Sequence, residues 1–395
     1  MSRGRAARPR YRWTVLATGT FAQSSFAAIG IGMPAIAPAI RDTFDLSLAQ
    51  VGAVLSSHWL GTLVTLLPWG FLTDRVGERI VLATGLGTCG LFLVVAGQAE
   101  TFWQLYVLLF LAGAAGASVN SATGRAVMGW FDAEQRGFAL GIRQAAVPVG
   151  GLVGALVLPH FTVHHAYVFL GCLCLLGAAA GAVFLREPAA LPLEVVDVEW
   201  TLRDHRLWRL CTVSGLYVVA QMSVLGFVVL YLHDERGLGK GQAAAVLGAV
   251  QVVAVVMRIG AGRWSDNLRT RIVPLARIGI AMCVSLALAT ALLKAPLVLL
   301  VPAFIVAGSL AMAWNGVAFA AVAELAGRAR SGAALGVQQT VLSLGGVGAP
   351  LAFAAVVSAA SWSLAYGLAA AFPLAGWLVL RAMHEPELAE PHRLR

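Results

Sequence analysis

The sequence predicts an all-α membrane protein of twelve transmembrane helices, arranged as two six-helix bundles. Three observations carry this expectation: long apolar runs, a shortage of charge, and an internal duplication. Of the 395 residues, 59% are hydrophobic and only 12% are charged, whereas soluble domains carry about 25% charged residues. So little polar surface cannot cover a water-soluble globule of this size. The 43 glycines suit membrane helices, whose backbones approach closely at small residues.

A helix needs about 20 apolar residues to cross a bilayer. Runs of that kind fall at roughly 13–40, 48–70, 80–98, 103–129, 138–159, 166–185, 208–232, 241–262, 272–293, 297–322, 332–355 and 362–381. A closed barrel, the other spanning solution, needs short strands of alternating polarity, and the sequence has none. The five arginines between Met1 and Arg12 lead straight into the first run, which is too long for a secretory signal. With the N-terminus inside, the inner segments hold twenty-one Lys and Arg residues and the outer loops four. The positive-inside rule then places both termini in the cytoplasm, and a bacterial-type plasma membrane is the expected location.

The longest polar interruption divides the chain into a bundle at 1–185, a cytoplasmic linker at 186–207 and a second bundle at 208–395. The halves repeat. Gly70, Asp74 and Arg79 recur 192 positions later as Gly262, Asp266 and Arg271. Gly113 and Asn120 recur 195 positions later as Gly308 and Asn315, and the same offset sets Gln338 opposite Arg143. Several collinear matches imply a duplicated six-helix unit, a recurring plan of transporters with the substrate site between the halves.

Several classes are disfavoured. The formal charge of +9 is scattered in short clusters between apolar runs, without the basic face and interleaved aromatics of a nucleic-acid binder. Cys89, Cys172, Cys174, Cys211 and Cys283 lie inside apolar runs and read as small packing residues. No metal cluster, nucleotide loop or nucleophile motif points to an enzyme or a cofactor, and the absence of a Walker sequence argues against an ATP-driven pump.

The segment Gly70-Phe-Leu-Thr-Asp74-Arg75-Val-Gly77-Glu-Arg79 resembles the loop 2–3 signature of the major facilitator superfamily, with all five of its fixed positions filled. The second copy, Gly262 to Arg271, is degraded: Asn267 replaces the first basic residue and Arg269 the glycine. With twelve spans in two repeats, the resemblance covers nearly the whole chain. It implies two bundles around a central cavity and a monomeric carrier working by alternating access. The motif also has a physical reading. Gly77 permits a tight turn, and Asp74 can sit at a helix N-terminus or pair with an arginine. Together with Asp266, Glu324 and Arg125, these residues are expected to form a cytoplasmic gate.

Charges at membrane depth cost about 2.5–3.5 kcal/mol each on insertion scales and mark function. The deep candidates are Arg143, Arg258 and His58, with Arg125 nearer the interface; no Asp or Glu lies deep in a span. A cavity lined by arginine attracts anions and holds a carboxylate with two parallel bonds. An arginine at the place of Arg258 resembles the substrate arginine of monocarboxylate and nitrate/nitrite transporters, although Leu66 fills the matching place in span two where the nitrate type has a second arginine. Gln23, Asn120, Gln221 and Asn315 are expected on the pathway by the same resemblance, with Trp314 as a flat wall. His58, whose unperturbed pKa is about 6.5, is the candidate for proton coupling. The expected substrate is a small organic anion. Pro148-Val-Gly150-Gly151 partly resembles the proline–glycine motif of antiporting drug exporters, with Val147 and Arg143 departing from it, so multidrug or metabolite efflux stands as the alternative.

Overall fold

The computed structural model describes residues 8–131, 133–186 and 203–383. Among them, twelve helices are long and apolar enough to cross a membrane. They are α1 (Tyr11–Phe44), α2 (Leu48–Thr73), α3 (Glu78–Ala96), α4 (Phe102–Val127), α5 (Gly141–His160), α6 (Val163–Phe184), α7 (His205–Asp234), α8 (Lys240–Leu268), α9 (Ile272–Ala291), α10 (Leu297–Ala326), α11 (Ala333–Ala359) and α12 (Trp362–Arg381). The chain separates into two compact units, Met1–Leu193 and Glu194–Arg395. Most of the expected linker lies outside the described residues.

The duplication of sequence is also a duplication of packing. In the first unit α1 packs on α5, α2 on α4 and α3 on α6; in the second, α7 packs on α11, α8 on α10 and α9 on α12. The first unit closes these pairs with glycine. A Cβ on Gly32 would lie 2.8 Å from the Gly154 Cα, and one on Gly90 2.8 Å from the Gly171 carbonyl oxygen. Such approaches bring backbones together where lipid offers no hydrophobic drive for helix association. The second unit uses a wedge instead. Tyr217 fills the space beside Gly279 and Gly376 and donates its hydroxyl to the Leu275 carbonyl at 3.1 Å.

Helix ends are satisfied by side chains. Ser47 with Gln50 and Thr101 with Gln104 form capping boxes at the starts of α2 and α4, and Ser361 caps α12. Each holds an N–H that helical geometry leaves unpaired. The turn between α2 and α3 runs through Gly77 at φ 90°, and its repeat counterpart Arg269 sits at φ 51°. The second copy thus keeps a left-handed turn without the glycine that makes it cheap. The backbone stays helical from Asn315 to Ala359, where the apolar pattern suggests a break between two spans.

One departure from a plain helix bears on function. α1 turns to π-helix over Ala28–Gly32 and to 3₁₀ over Met33–Ile36 before resuming as α-helix. Pro34 is the cause: it has no N–H to give and its ring crowds the carbonyl four residues earlier.

The Gly32–Gly154 approach generates a stability prediction. Gly154→Leu forces side-chain atoms onto the α1 backbone, and overpacking of this kind costs about 1–3 kcal/mol. The purified variant is expected to melt below wild type by tryptophan fluorescence. Gly124→Ala, at a glycine with open space around it, is expected to melt at or slightly above wild type. Equal melting of both variants would contradict the close-approach account.

Candidate functional site

The deep polar groups of the first unit meet where α1, α4 and α5 pack. Arg143 on α5 directs Nη1 to Gln23 Oε1 on α1 and to Thr123 Oγ1 on α4, both at 3.2 Å. Gln23 passes the bond on, donating Nε2 to Asn120 Oδ1 at 3.4 Å. The direction of this chain is forced, because a guanidinium can only donate. Its neighbours must therefore turn oxygens towards it. The buried Nε of Arg143 has no hydrogen-bond partner among the described residues. Nη2 bonds no described side chain either, and no carboxylate whose side chain is described reaches the guanidinium. Nε and Nη2 form the edge that takes a carboxylate with two parallel bonds.

The second unit builds a different cluster around the repeat-related asparagine. Arg258 on α8 is 7% exposed. It donates Nη2 to Asn315 Oδ1 at 2.6 Å and Nε to the Met312 carbonyl at 3.2 Å. The local fold explains the second bond. The first segment of α10 ends at Ala313 and the helix restarts at Asn315. Carbonyls in the last turn of a helix lack intrahelical partners and favour a cation. α4 has the matching interruption, ending one segment at Gly116 and restarting at Ser118. In both units the asparagine follows this break.

The remaining expected residues divide. Gln338, at the repeat position of Arg143, donates to Ser214 Oγ at 2.9 Å, so the second unit carries no charge there. Gln221 is buried and its Oε1 has no partner among the described residues. Trp314, expected as a flat wall, is instead fully buried. Its indole N–H donates to Ala311 and its ring lies edge-on to Tyr217 at 5.8 Å. His58 is 2% exposed, with its ring against Gly30 in the π-helical turn and against Trp59.

At the ends carrying the motif, charges pair within each unit. In the first, Arg125 bonds Glu78 at 3.0 Å and the Thr73 carbonyl at 3.0 Å. Arg79 donates to the Ala182 carbonyl at 2.6 Å. Arg75 is exposed, Gly70 has open space around it, and the Asp74 side chain lies outside the described residues. In the second unit, Arg271 holds Asp266 at 2.6 Å and Glu324 at 2.7 Å. Glu324, ahead of Asp266, raises the Arg271 pKa above its ordinary value. Opposite charge on both sides keeps the guanidinium protonated.

Three participants are absent from the expected set. Thr123 lies one turn beyond Asn120, so i, i+3 spacing places both on one helix face. Ser214 stands seven residues before Gln221 and was legible in the same way. Glu78 follows Gly77 in the first turn of α3, where a helix N-terminus favours an acid.

The chain matches the model of the Major Facilitator Superfamily over residues 19–350. It is 32% identical over 372 residues to an uncharacterised MFS-type transporter of Mycobacterium tuberculosis, covering 92% of this chain and 83% of the relative. A hexuronate transporter of Bacillus subtilis is 24% identical over 219 residues, 51% of this chain and 52% of the relative. A multidrug resistance protein of Escherichia fergusonii is 24% identical over 233 residues, 56% and 57% of the two chains. The chain therefore belongs to the major facilitator superfamily: it is a multi-pass membrane transporter of a small molecule, not an enzyme.

Proposed function

We propose that this transporter carries a small organic anion by alternating access in the plasma membrane, with both termini cytoplasmic. One observation supports the anion most directly. Arg143, on span α5, is held by neutral oxygens on one side, while its Nε–Nη2 edge bonds no described residue. A guanidinium in such surroundings attracts an anion strongly, because little water is present to screen it. Arg258 provides a second guanidinium in the other unit, positioned by Asn315. The hexuronate transporter among the relatives fits this reading, since a hexuronate is a carboxylate. The multidrug relative and the Pro148–Gly151 segment of α5 favour efflux. Gly150 packs on the α1 backbone at Ser24 and Ala28, and nothing in that contact selects a cation. The His58 ring packs against Gly30 and Trp59 with its Nδ1 buried and unpartnered among the described residues, and the proposal names no coupling ion.

The test is direct binding to purified protein. Hydrogen bonds to a charged group are worth about 1.5–3 kcal/mol, so Arg143→Ala is expected to weaken carboxylate binding by about tenfold or more. Arg143→Lys keeps the charge and loses the fork, and should fall between Arg143→Ala and wild type. Unchanged carboxylate affinity in Arg143→Ala would remove Arg143 from the site, and binding of cationic dyes with no carboxylate would overturn the organic-anion assignment in favour of efflux.

The Arg271 cluster generates a second prediction, on turnover. Its acids are half or more exposed, Glu324 at 51% and Asp266 at 66%. Surface pairs contribute about 0–1 kcal/mol to stability. The double variant Asp266→Asn, Glu324→Gln should therefore fold and bind substrate as wild type does, while its transport rate changes several-fold if the cluster gates exchange. Wild-type transport rates would remove the cluster from the cycle.

A further inference from the structure

We infer that Gln23 is a positioning residue that sets the charge of the anion site. It holds Arg143 through a neutral oxygen, so that the guanidinium keeps its full charge for the ligand. This rests on the organic-anion reading and adds to it a reason for the amide.

The geometry leaves little freedom. Arg143 can only donate, so Gln23 must present Oε1 to it. Gln23 Nε2 is then turned to Asn120, whose Oδ1 accepts it. Asn120 thereby fixes the rotamer of an amide on another helix. Gln23 is 5% exposed, so it meets Arg143 where water does little to weaken the interaction. A carboxylate at this place would form a buried ion pair with the guanidinium, and that pair would compete directly with an anionic ligand. An apolar residue would leave Nη1 held by Thr123 alone. Glutamine satisfies the arginine on one side, helps orient the other edge, and adds no negative charge. The second unit reaches a similar end without a relay, since Asn315 accepts Arg258 directly at 2.6 Å.

The discriminating variant is Gln23→Glu. It has nearly the same shape and keeps an oxygen towards Arg143, and Asn120 can turn its amide to donate to the new carboxylate. A residue with only a structural role would tolerate Glu better than Ala. A residue that guards the charge shows the reverse order. The measurement is the anion-dependent rise in melting temperature of the purified full chain, titrated with acetate, lactate, glucuronate, phosphate and sulfate. Wild type is expected to be stabilised by at least one carboxylate. Gln23→Glu should melt at or above wild type without anion, reflecting the internal ion pair, and lose the anion response by about tenfold or more. Gln23→Ala should lose less. A Gln23→Glu protein that keeps the wild-type anion response overturns this inference. Arg143→Ala in the same titration separates the two readings: no anion response in wild type overturns the organic-anion reading and this inference with it, whereas an undiminished response in Arg143→Ala leaves the anion reading standing and overturns this inference, which acts through Arg143. A response lost in Arg143→Ala but kept in Gln23→Glu defeats only the role of Gln23.

Discussion

Hydrocarbon offers no hydrogen bonds, and that constraint shapes every level of this protein. Backbone groups must pair within their own segment, which leaves helices as the spanning element for a chain of long apolar runs. A guanidinium in the same medium must be satisfied by oxygens brought to it from other helices. Arg143 therefore ties α5 to α1 and α4 through Gln23 and Thr123. Arg258 ties α8 to α10 through Asn315 and Met312. The charges that suggest function are thus also fastenings between helices, and the side-chain partners of Arg143 are neutral oxygens. A neutral partner satisfies a hydrogen bond without cancelling the charge, which is the condition for a binding site rather than a structural ion pair.

The two units solve the same packing problem with different side chains. Their helices pair in the same order, yet glycine meets glycine across α1 and α5 while Tyr217 wedges between α9 and α12. The second unit adds an aromatic cluster of Phe227, Tyr231, Phe304, Phe353, Trp362 and Tyr366, with ring centroids from 4.6 to 6.5 Å apart. Its first helix, α7, is an unbroken α-helix from His205 to Asp234. In the first unit α1 passes through π and 3₁₀ turns at the level of His58. Duplication supplied the scaffold, and divergence of single residues gave each half its own chemistry.

Much of this was legible in the sequence because it follows from period and composition. Twelve apolar runs, the repeat at offsets of 192 and 195, and the deep arginines can each be read from one chain. The glycine of the α2–α3 turn was legible too, and it adopts φ 90°. Partners across helices were harder, since they depend on how helices rotate against each other. Arg143 was visible but Thr123 was not singled out, although it shares a face with Asn120. Trp314 was misread because a large ring in an apolar helix looks the same whether it lines a path or fills a core. Its burial against Tyr217 is a property of the packed unit. The break in α1 was signalled by Pro34 and the glycines before it, a local cue that the apolar count overrides.

The central claim is that this carrier moves organic anions, and counterflow tests it most directly. Purified protein in liposomes is loaded with an unlabelled carboxylate and diluted into the same carboxylate carrying a radiolabel, with no ion gradient imposed. The account predicts that label accumulates transiently in the vesicles for at least one carboxylate of the panel, and that a cationic dye neither accumulates nor competes. Exchange of the dye with no exchange of any carboxylate would contradict it.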